Sequence, residues 1–216
     1  MTTTRTIGMF LAVFLCVAIP VSMGWADSYE IYEPSRMGAT QIQTGPGARP
    51  QPYQGGGVQI RCNACMDPNA VRYGQVEPLP EDSSHYTGHL LGTRLHVPVD
   101  TTLIALAVIG RKPGAKFQLA LYSDGDNVPL YLRGFTPITE LKVGIQEIGV
   151  PPVRLPAGYY WLVGTYDTTA SIAYSQNTSE TVKHITHTFG EPLPEVFGSA
   201  STYTGQTFSH YIVTKR

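Results

Sequence analysis

Charge is what this chain has least of. Asp, Glu, Lys and Arg together make up 14% of its 216 residues and nearly cancel, leaving a formal net charge of -1. That balance excludes electrostatic steering toward nucleic acid or an anionic membrane surface. After the first 26 residues no convincing helical period appears, and no internal repeat does either. No Ser-His-Asp elbow, glycosidase carboxylate pair or phosphate-cradling glycine loop is recognisable. These absences lead to the expectation of a protein that is not an enzyme.

Hydrophobic residues reach 42%, enough for a core, and 22 Gly with 17 Pro suit short strands joined by tight turns. The start of the chain reads as a secretory signal over residues 1–26. Arg5 supplies the positive flank and residues 7–21 the apolar run. Gly24 and Ala26 place small residues before a cut at Asp27. The run is short for a bilayer span, so no membrane span is expected after cleavage. Residues 27–57 read as a flexible Pro/Gly-rich tail, with GPGARPQPYQGGG offering little to bury. Within it SYEIYE alternates aromatic and acidic residues, the one place where a docking strand would form.

Residues 58–216 read as a β domain. Residues 117–123 and 158–166 are strongly apolar strands expected at the centre, bracketing a turn-rich crossing. TLIALAVI at residues 102–109 is apolar on both faces, as a strand covered from both sides would be. Further strands are expected at 58–61, 128–133, 141–150, 171–174, 183–189 and 207–213. Residues 86–97 read as a strand pair or one bent strand kinked at Gly88 and Gly92. Short strands with frequent turn signals point to an all-β, two-sheet antiparallel sandwich.

ALYSD at residues 120–124 and LPAGYYWLV at 155–163, with a closing FSHYIV at 208–213, carry a resemblance. The set is similar to jelly-roll sandwich modules of secreted bacterial proteins, in which an ALYSD-type strand precedes a Leu-x-x-Gly-x-Tyr-Trp-Leu strand. Two departures stand out: Asn127-Val128-Pro129 lacks the usual Gly before Pro, and residues 143–147 lack a Trp-Asn strand. The resemblance implies a jelly-roll fold and an accessory role like that of carbohydrate-binding modules or adhesin-like surface domains. It transfers no site residue.

Few residues invite chemistry. Cys62 and Cys65 have the spacing of a redox dithiol, half a zinc site or a haem attachment, but Met66 stands where haem attachment needs His. Export favours a local disulfide between them. Asp124, Asp126 and Asn127 put oxygen ligands on one turn, where Ca²⁺ is the cation they would suit, or where they simply bond the local backbone. Tyr122, Tyr160 and Tyr166 are candidates for an aromatic platform against sugar C–H faces, the alternative being that both sheet faces are covered and the rings are core. His184 and His187, three apart, fall on opposite faces of a strand, and His85 and His89 are separated by a bend at Gly88. No other cofactor is expected.

Together these readings give an exported, non-catalytic binding or surface module, periplasmic, on the cell surface or extracellular. Its expected partner is a polysaccharide or an envelope protein. The alternatives are a structural subunit of a surface or periplasmic complex docking through residues 27–57, and a metal or redox protein using the CxxC.

Overall fold

The structure is a computed structural model that describes residues 30–32, 59–85 and 87–216. The expected signal segment, and the expected tail apart from Glu30–Tyr32, lie outside the described residues. Fourteen strands and a single 3₁₀ turn, Asn63–Met66, make up the described chain. The strands are β1 (Glu30–Tyr32), β2 (Gln59–Arg61), β3 (Val71–Gly74), β4 (Glu81–His85), β5 (His89–Val97), β6 (Thr101–Gly110) and β7 (Lys116–Gly125). There follow β8 (Val128–Phe135), β9 (Thr139–Glu140), β10 (Gly144–Leu155), β11 (Gly158–Tyr166), β12 (Ala170–Thr186), β13 (Ser201–Phe208) and β14 (His210–Lys215). No described helix is long and apolar enough to cross a membrane.

Every pairing is antiparallel except β2 with β10. One run of neighbours is β1-β2-β10-β6-β14-β3, and another is β8-β7-β11-β5-β12-β13. They meet where β12 bridges to β6 through Ile172 and Gly110. The expected central pair is there: β7 lies against β11 with Leu121 opposite Leu162 and Tyr122 opposite Trp161.

Strand alternation sorts the apolar side chains into three clusters. Leu103, Leu106 and Val108 of β6 share the main core with Phe117, Leu119 and Leu121 of β7 and Leu162 of β11. Burying each such side chain contributes about 1.5–3 kcal/mol. The other face of β6 (Ala105, Ala107, Ile109) packs with Cys62, Cys65, Tyr211 and Val213, and Ala70 and Val76 close over it. The other face of β7 and β11 (Ala120, Tyr122, Trp161, Val163) is covered by Leu193, Phe197 and Ala200. Thus TLIALAVI is apolar throughout because chain lies on both of its sides.

Several expectations are corrected. Residues 175–182 look too polar for a strand, yet β12 runs unbroken from Ala170 to Thr186 because β13 pairs along it, with a register slip between Gln176 and Thr181. Residues 207–213 are two strands broken at Ser209, whose N–H donates to the Ala173 carbonyl at 2.8 Å. β10 continues through Pro151 and Pro152, tolerated because β2 occupies its outer edge only at Gln146 and Glu147. Gly92 is not a kink but a close approach: a Cβ there would lie 1.9 Å from the Leu162 carbonyl oxygen.

Candidate functional site

Two residues at the end of the β7–β8 hairpin organise the site. Gly125 pairs with Val128 across a two-residue loop, Asp126 and Asn127, with φ of 54° and 65°. Both are left-handed, as the tightest hairpins require, and Asp and Asn are the non-glycine residues that best tolerate it. The turn aims Asp124 and Asn127 back at the sheet. Asp124 Oδ1 accepts the Trp161 indole N–H at 2.7 Å, and its Oδ2 accepts Arg94 Nη2 at 2.9 Å. Arg94 Nη1 donates to Asn127 Oδ1.

The neighbouring strands add the rest. On β5 and β11, Arg94 lies opposite Trp161 and His96 opposite Tyr159, so all four share a face. With both its ends held, the Arg94 guanidinium stacks 3.8 Å from the Tyr159 ring centroid, a cation–π contact. The His96 ring lies 4.6 Å from the same ring. Just before β11, Asp100 Oδ1 accepts the Ala157 N–H at 2.9 Å and its Oδ2 accepts Arg154 Nη2 at 3.1 Å, pinning the turn that presents Tyr159. Those two bonds, the backbone one foremost, hold the Asp100 carboxyl below the usual carboxylate range.

Tyr159 is 48% exposed while Trp161, two residues on, is 1% exposed. The patch therefore has a buried, hydrogen-bonded base and one accessible aromatic ring flanked by an imidazole and a guanidinium. This can stack on an apolar ring face and bond hydroxyls at its edge. Among the described residues no three or more His, Cys, Asp or Glu side chains gather where they could hold a metal ion.

The tyrosine platform expected from the sequence is not formed. Tyr122 lies in the cluster beneath residues 193–200, while Tyr160 and Tyr166 lie in the main core. All three are 5% exposed or less. Their hydroxyls are bonded inward, Tyr122 donating to the Pro194 carbonyl and Tyr160 to that of Pro156, each at 2.8 Å. Burial pushes all three phenols up from their ordinary pKa. Asp124 and Asn127 do come together, but on an arginine where the sequence suggested Ca²⁺, and Asp126 stays exposed at the tip. Cys62 and Cys65 are joined as expected.

Sequence reasoning assigned no role to Tyr159, Arg94 or His96. The available signal was alternation: Arg94 and His96 flank Leu95 as Tyr159 and Trp161 flank Tyr160. No protein-family model matches this chain, and no curated protein matches it in sequence.

Proposed function

We propose that this chain is an exported, non-catalytic binding module that holds a glycan against Tyr159, with its two strand runs stacked as a jelly-roll-like antiparallel sandwich. The shared main core supports the sandwich reading, and the signal-like first 26 residues support export. The observation that carries the glycan reading is the exposed Tyr159 ring braced by Arg94 and His96 at a hairpin rim. Bracing matters because a ring already fixed loses little rotamer entropy when a sugar stacks on it.

Affinity electrophoresis of the purified chain through gels containing bacterial or plant polysaccharides tests this reading. Retardation by at least one polysaccharide is expected, with Tyr159→Ala weakening it at least tenfold. Because Tyr159 is only half-exposed and carries the Arg94 and His96 contacts, that substitution should cost about 1 kcal/mol of stability without unfolding the chain. Unaltered retention in Tyr159→Ala, or no retention on any polysaccharide, would sink the reading.

A second reading, a subunit of a surface or periplasmic assembly, is favoured by Tyr131 and Val196, which bridge to one another and are 54% and 51% exposed. Retention of one envelope protein, lost in Tyr131→Ala, would put it first.

A further inference from the structure

We propose that His89 and His184 form a binding site for a divalent transition-metal ion, separate from the Tyr159 patch. They sit on adjacent antiparallel strands, where Leu91 lies opposite His184 and Thr186 opposite His89. That register makes the two imidazoles diagonal neighbours on one face, within reach of each other. Their ring centroids are 5.5 Å apart with planes at 84°. Imidazole nitrogens bind such ions at about 2.0–2.1 Å, so rings at this spacing fit around one shared ion.

A second, independent observation points to a missing partner. His89 Nδ1 is sealed from solvent and has no hydrogen-bond partner. Buried polar nitrogens are rarely left so. Both side chains are only half-buried, so the pair lies near the surface although His89 Nδ1 itself is covered. Tyr203 packs against His184, with ring centroids 5.7 Å apart, and closes one side.

Since no described cluster supplies three or more such ligands, the protein gives two nitrogens and water completes the shell. Two neutral imidazoles suit Cu²⁺, Zn²⁺ or Ni²⁺ and not Ca²⁺, which takes oxygen. With so few protein donors the ion is exchangeable and is not a structural staple.

The test uses the full chain with any polyhistidine tag removed, titrated with Cu²⁺ and separately with Zn²⁺ at pH 7.5. One equivalent should bind, and the Cu²⁺ form should show electron-spin hyperfine structure from two imidazoles. His89→Gln and His184→Gln should each weaken binding at least tenfold, with glycan retention unchanged. Absence of a bound equivalent, or wild-type affinity in either variant, overturns the site. Should one variant fail to fold, the other variant and the wild-type hyperfine pattern still decide.

Discussion

Lowering the pH from 6.5 to 4.5 is expected to remove on the order of 2 kcal/mol of folding stability through His210 alone. This side chain is buried beside Tyr166, whose hydroxyl lies 3.3 Å from its Nε2, and beside the Phe208 ring. Burial pushes its pKa from 6.5 down to about 3. Between those values the unfolded chain holds a proton that the native state refuses. Acid therefore favours unfolding, by about 1.4 kcal/mol for each pH unit in the window. The contribution is complete above pH 6.5 and exhausted below about pH 3. His184 and His187, also lowered by burial, act in the same direction. Urea unfolding at pH 6.5, 5.5 and 4.5 on the wild type and His210→Gln should show a steeper pH slope in the wild type. Parallel slopes would refute the assignment.

Arg72→Met should destabilise the fold by about 3 kcal/mol, because it leaves a buried carboxylate short of its nearest cation. Glu147 has no exposed side-chain surface, and Arg72 Nε lies 2.7 Å from its Oε1. The Tyr211 hydroxyl donates to the same oxygen at 2.8 Å, and Arg61 stands off at 3.9 Å. Those two remaining partners keep the expected loss at the lower end for a broken buried pair. Arg72 also donates to the Cys65 carbonyl at 3.1 Å, tying the disulfide turn to the sheet beneath it. Adding Glu147→Gln should recover part of the loss, since a neutral pair carries no stranded charge. A double variant less stable than Arg72→Met, read from urea midpoints, would contradict this account.

How much of this was readable in advance depended on whether the signal was local. The strands β6, β7 and β11 announce themselves through runs such as TLIALAVI and YYWLV, because burial on both faces excludes polar residues. β12 did not, since Ser, Thr, Gln and Asn are held in a strand by partners that come later in the chain. The tyrosine platform failed for a related reason. Alternation correctly puts Tyr122 and Tyr160 on strands, but the segment that comes to rest over Tyr122, around Phe197, lies some seventy residues further on. The Tyr159 patch likewise joins β5, β7 and β11, and only their register brings Arg94, His96 and Asp124 together.

β12 has one more consequence. Its first half pairs with β4 and touches β6, and its second half pairs with β5, so one continuous backbone is stitched into both halves of the domain. Loss of the pairing along β12 should loosen both. Calorimetry should therefore find a single heat-absorption peak whose measured enthalpy equals the van't Hoff value, and a chain cut within β12 should lose both halves at once.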